Sequence, residues 1–193
     1  MKILKYPHPV LAYTSKPVIR IDEKFRQIVA EMFDLMYEAE GVGLAANQVG
    51  LPWRFFVMNA TGDPEQKDAE FVMINPEIRK RKGKSEGEEG CLSFPDLRLK
   101  IIRAEEIEFQ AIDLKGQLAT YHWKGFPARV IQHENDHLNG HCFYQSAGPA
   151  GQIKARTLLD SLRIIYKSDS ERGFNPTRDE FLAEMKKLEK ERT

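Results

Sequence analysis

Eleven residues, VIQHENDHLNG (130–140), set the tightest limit on this chain. They carry His133, Glu134 and His137 as H-E-x-x-H. Two side chains four apart lie one above the other on the same face of an α-helix, and the segment reads as one. Pro127 suits the start of that helix and Gly140 its end. On one face, both imidazoles reach a single metal ion. Glu134 stands beside them, placed to touch water rather than the ion. A catalytic ion needs a third protein ligand and an open position, whereas a structural ion needs four closed ones.

Several residues compete to be the third ligand. His141 is eight residues beyond His133, and eight helical residues rise about 12 Å, too far for one ion to meet all three histidines. The extended protease pattern H-E-x-x-H-x-x-G-x-x-H requires histidine at 143, where this chain has Phe143. A glutamate on a later helix, among Glu171, Glu180 and Glu184, is the ligand a zinc endopeptidase would use. The remaining candidate is a cysteine. Cys142, flanked by Phe143 and Tyr144, reads as a small buried hydrophobe. Cys91 lies instead in EEGCLSFPDLR (88–98), among glycine, serine and carboxylates. A thiolate with two imidazoles leaves one tetrahedral position for water.

The rest of the chain supplies the frame. Residues 1–20 read as extended, with prolines at 7, 9 and 17. Asp22 caps a helix over 23–39, whose stripe is Phe25, Ile28, Val29, Met32, Phe33 and Met36. GVGLAANQVG (41–50) is too glycine-rich for an ordinary element. Strands are predicted at 54–59, 71–75, 103–109 and 118–122, with a charged connection at 79–90. A helix follows over 151–166, then a polar linker at 167–176. Thr177 and Glu180 form a capping box for a last helix over 178–192. Strands in the middle with helices before and after make an α+β fold: antiparallel or mixed sheets packed around the H-E-x-x-H helix. The expected division is a catalytic domain over 1–166, with a linker and C-terminal helix of unassigned role over 167–193.

Composition narrows the function classes. Lys+Arg and Asp+Glu both total 29, so nothing argues for bulk attraction to nucleic acid or anionic membrane. The basic run at 79–82 with Lys84 is offset by Glu86, Glu88 and Glu89 and reads as a solvated loop. No apolar run approaches the roughly 20 residues that span a bilayer. The start, MKILKYPHPVLAYTSKP, shows no apolar signal core. Two cysteines make no disulfide framework, and a cytoplasmic location is expected.

The loop at 41–46 matches the loose dinucleotide pattern G-x-G-x-x-G/A, but a helix precedes it and a strand follows, the reverse of what that pattern needs. Its missing side chains instead let an extended substrate approach the backbone near Val42 and Gly43. Gln48 can donate to an oxyanion without changing its protonation state.

Three segments together resemble the peptide deformylase family: GVGLAANQ (41–48), EGCLS (89–93) and QHENDH (132–137). The opening ILKYP (3–7) and KPV (16–18) are similar too, and the match covers about residues 3–145. Asn135 sits where the family more often has an apolar residue. The resemblance implies a metal-dependent hydrolase that removes the N-formyl group from the first methionine of new polypeptides, releasing formate. It implies Cys91, His133 and His137 as metal ligands, and Fe²⁺ as the ion, replaceable by Zn²⁺, Ni²⁺ or Co²⁺. Glu134 would move the proton, while Gln48 and the N–H of Leu92 stabilise the oxyanion. Val42, Gly43 and Gly90 would line the peptide path. Arg98 would anchor the substrate or steady the loop. Arg129, one helical turn before His133, is placed either to line the specificity pocket or to stand as a surface charge. Expected partners are N-formylmethionyl nascent chains, with transient ribosome contact. Two rival readings stand beside it: a zinc endopeptidase, and a non-catalytic module whose structural zinc is closed by Cys142 or His141.

Overall fold

The computed structural model describes residues 1–192. The first helix, α1 (Glu23–Glu38), begins where Asp22 accepts the Phe25 N–H at 2.9 Å. It buries Phe25, Val29, Met32, Phe33 and Met36, the stripe that 3.6-residue periodicity requires. After it come β1 (Gly43–Ala45), a 3-10 turn (Ala46–Val49), β2 (Phe55–Met58) and β3 (Phe71–Lys82). β4 (Ser85–Cys91), β5 (Phe94–Arg103), β6 (Glu106–Ile112) and β7 (Leu118–Lys124) follow. The chain ends with α2 (Gly125–Leu138), α3 (Pro149–Glu171) and α4 (Arg178–Arg192).

The strands form two sheets. One has five strands in the order β1-β2-β3-β6-β7, every neighbouring pair antiparallel. The other is the β4–β5 ribbon. Successive strand residues face opposite sides, and β2 divides accordingly. Phe55 and Val57 join the core under α1, while Phe56 and Met58 join the core under α2. The large sheet is thus covered on both faces, and α2 is held against it by Ala128, Val130, Ile131 and Leu138. A third core joins the β4–β5 ribbon to the N-terminal segment, α3 and α4 through Phe94, Leu99, Phe143, Leu159, Phe181 and Met185.

The α+β class and the central histidine helix stand as expected from sequence, but several local readings change. Residues 79–90 are mostly strand, not a connecting loop. Their charges alternate along solvent-facing edges and pair across strands, Lys80 with Glu108 at 2.9 Å and Lys82 with Glu106 at 3.2 Å. The glycine-rich loop contains a short buried strand and the 3-10 turn. Residues 167–171 continue α3 rather than starting a linker. The predicted capping box is present: Thr177 N donates to Glu180 Oε2 at 2.8 Å, and Glu180 N donates to Thr177 Oγ1 at 3.3 Å.

α4 folds back onto the body. Trp53 Nε1 donates to the Leu188 carbonyl at 2.9 Å, and Tyr13 Oη donates to Glu189 at 2.7 Å. Arg192, only 2% exposed, lies over the rings of Phe25 and Trp53 at 5.4 and 5.0 Å.

Candidate active site

The site forms where α2, the β4–β5 ribbon and the β1 region converge. α2 supplies His133 and His137, whose ring centroids are 5.1 Å apart. Cys91 ends β4, and its Sγ is 3.2 Å from His137 Nε2. One ligand atom from each of Cys91, His133 and His137 lies within 4.8 Å of the other two, and all three residues are buried or half-buried.

These residues fit a metal ion by their chemistry. One sulfur and two imidazole nitrogens around a tetrahedral ion stand about 3.5 Å apart, the scale seen here. His133 commits Nδ1 to Glu89 Oε2 at 3.0 Å, leaving Nε2 to face Cys91, as a metal-bound histidine with a carboxylate behind it does. His137 Nδ1 is buried without a hydrogen-bond partner. Burial opposes a proton on either imidazole. At His133 the Cys91 and Glu89 side chains outweigh it and push the pKa well up, whereas burial and the His133 charge push His137 well down.

Glu134 is 4% exposed. Burial pushes its carboxyl up to about 7 against the pull of His133. Among the described residues its Oε2 has no hydrogen-bond partner. Its Oε1 lies 2.6 Å from where a Cβ on Gly43 would be, so only glycine lets β1 pass this close. Gln48 is 1% exposed. Its Oε1 accepts the Ala45 N–H at 2.8 Å, which aims Nε2 at Ser93 Oγ (3.1 Å) and Cys91 Sγ (3.6 Å). Asn47 Nδ2 donates to the His137 carbonyl and ties the same turn to α2.

A cavity of about 490 Å³ opens over these groups, lined by Val42, Gly43, Gln48, Gly90, Cys91, Leu92, Arg98, Arg129, His133 and Glu134, among others. The sequence-predicted site residues thus line one cavity except His137, which is not among its lining but lies beside Cys91. Leu92 occupies the turn between β4 and β5, and its carbonyl accepts from Lys5. Arg98 is exposed at the rim, its Cζ 3.1 Å from a Cβ position on Gly90. Arg129 is buried, with its guanidinium bound to Glu89, Ser85 O and Ile101 O.

The rival ligands lie elsewhere. His141 pairs with Ser146 Oγ at 2.8 Å. Cys142 Sγ is 3.9 Å from the Leu11 carbonyl, and its thiol is pushed up to about 12, first by burial and then by the charge of Cys91.

Sequence reasoning missed Glu89, Arg103 and Asp136. Glu89 is 6% exposed, not part of a solvated run. It accepts from Arg103 Nε at 2.9 Å and Nη2 at 3.0 Å, and Arg103 also reaches Asp136. Burial alone would raise the Glu89 carboxyl, but hydrogen bonds from His133 and Arg103 hold it at about 2. The only available signal was that the two-residue period of β4 points Glu89 opposite to Glu88.

Comparisons with known proteins agree with this geometry. The family model described as polypeptide deformylase matches residues 1–152. The peptide deformylase of Rhodopirellula baltica is 41% identical over 90% of this chain and 86% of its own length. That of Acidobacterium capsulatum is 44% identical over 73% of this chain and 82% of its own. The crystal structure of Plasmodium falciparum peptide deformylase superposes with a TM-score of 0.84 at 37% identity, covering 86% of this chain and 98% of that one. Arabidopsis thaliana peptide deformylase 1B, in complex with an inhibitor, gives 0.83 at 34% identity, covering 92% and 98%. On this agreement of family model, relatives and fold, the chain belongs to the polypeptide deformylase family.

Proposed function

We propose that this enzyme removes the N-formyl group from the starting methionine of new polypeptides, releasing formate and a free amine. The observation that carries the reading is the Cys91, His133 and His137 group beside a cavity that Cys91, His133, Glu134 and Gln48 line. A divalent ion, once bound by those three ligands, supplies Lewis acidity that polarises the formyl oxygen and acidifies water. Glu134 accepts the proton of the attacking water and returns it to the leaving nitrogen. Gln48 Nε2 and the Leu92 N–H donate to the oxygen as negative charge develops on it.

The formyl group is small enough to reach the buried Gln48, His133 and Glu134. Val130, Leu97 and Phe126 offer an apolar wall for the methionine side chain. Among the described residues β1 stands at the sheet edge beside β2, so its other edge, at Gly43 and the preceding Val42, can receive an extended peptide as an added strand. Gly90 lies across the cavity, and Arg98 at the rim is placed to meet the peptide backbone. We assign Fe²⁺ as the working ion, with Zn²⁺, Ni²⁺ and Co²⁺ as substitutes; a mixed sulfur and imidazole set accepts all four. The enzyme acts in the cytoplasm on nascent chains, which bring the ribosome into transient contact. Residues 1–166 form the catalytic unit, and α4 braces it.

Protein purified anaerobically should release formate from formyl-Met peptides, with one divalent ion per chain in the same sample. Metal-replete protein that releases none would overturn the reading.

A further inference from the structure

The three residues of the metal-ligating group come from two separate elements. Cys91 ends the β4–β5 ribbon, which is not part of the five-stranded sheet, and the histidines sit on α2. Something must fix the ribbon's distance from the helix. Arg129, one helical turn before His133, spans that gap. Its Nη1 donates to Glu89 Oε1 at 2.8 Å and to the Ile101 carbonyl at 2.9 Å, and its Nη2 donates to the Ser85 carbonyl at 2.8 Å. The two carbonyls belong to β5 and β4, so one side chain holds both strands of the ribbon. The same Glu89 carboxylate holds His133 Nδ1 through Oε2.

Gly87 makes this bridge sterically feasible. A Cβ there would stand 2.9 Å from Arg129 Cζ and Nη2. Gly87 is not among the positive-φ glycines, so its role is missing volume rather than backbone freedom. Arg103 holds Glu89 from the other side and reaches Asp136 on α2. Its hydrogen bonds go to the Glu89 and Asp136 side chains, whereas Arg129 grips the ribbon's backbone.

We propose that Arg129, seated over Gly87, is a positioning residue: it sets the separation of Cys91 from His133 and His137 and holds Glu89 behind His133. Its role is then not that of a wall selecting the methionine side chain. The proposal rests on the reading of Cys91, His133 and His137 as a metal centre.

The test uses Co²⁺-loaded full-length protein, because Co²⁺ absorption reports ligand geometry. Arg129→Met and Gly87→Ala should each shift the Co²⁺ absorption bands. Each should also speed Co²⁺ loss to a chelator by about tenfold or more, the usual scale for residues supporting metal ligands. For formyl-Met peptides, kcat should fall with KM unchanged. Gly87→Ala should add little once Arg129 is already Met, because the two act through one contact. Wild-type spectra and release rates in folded Arg129→Met protein, or a rise in KM alone, would overturn the proposal. If Arg129→Met does not fold, Gly87→Ala decides the question by the same readouts. Wild-type protein that takes up no Co²⁺ would overturn the metal reading itself.

Discussion

Gly43→Ala tests how closely the Glu134 carboxylate, the proposed proton carrier, is held. The added Cβ would lie 2.6 Å from Glu134 Oε1, 2.9 Å from its Cδ and 3.0 Å from its Cγ. Ordinary contact needs about 3.4 Å, so one side must yield by about 0.8 Å. β1 is pinned by its pairing with β2, and α2 by its core under the sheet, so the Glu134 side chain is what moves. A displacement near 1 Å in a reacting group costs up to about a hundredfold in rate, or about 2.7 kcal/mol in barrier. The assay is kcat/KM for formate release, alongside metal content and thermal unfolding of the same preparations. A tenfold to hundredfold loss with the ion retained is the result expected on this scale. Near-wild-type turnover would refute the claim that this contact sets the carboxylate's position.

Other contacts predict effects of different kinds. Arg192→Ala should lower unfolding free energy by about 3 kcal/mol, because the guanidinium loses two aromatic faces and its bonds to Arg20 O and Asp22 Oδ1; Trp53 fluorescence during urea unfolding reads this. Tyr13 is pushed up to about 12 by burial and by its hydrogen bond to Glu189. Its contribution to stability is therefore complete below about pH 10, the unfolded value, and drains as pH rises through 12. Alkaline unfolding of Tyr13→Phe should lack that component, as a tyrosinate absorbance titration would show. Cys91→Ser replaces the only sulfur within the Cys91/His133/His137 group and should lower metal content or change which ion is retained, measured by elemental analysis.

The histidine helix was legible because its pattern is local: His133 and His137 need only a helix to share a face, with Glu134 beside them. Asp22, Thr177 and Glu180 were legible for the same reason, since a cap is read within four residues. Cys91 was separated from Cys142 by its neighbours, but its approach to His137 depends on how the ribbon docks on α2. Glu89 was hidden because a buried carboxylate and a solvated one look alike until Arg103, fourteen residues on, folds across it. The strand character of residues 79–82 was hidden because their partners Glu106 and Glu108 lie on β6, and that of 85–90 because it depends on pairing with β5. Arg129 read as a pocket residue because its position on α2 was clear, while the carbonyls it binds were not.

The most direct test of the account is Glu134→Ala, with metal content and formate release measured on one anaerobic preparation. Glu134 touches the water and not the ion in this account. The variant should keep the wild-type ion content and lose about a hundredfold or more in formate release from formyl-Met peptides, the usual scale for a lost general base. A metal-loaded variant that turns over at a near-normal rate would contradict the account.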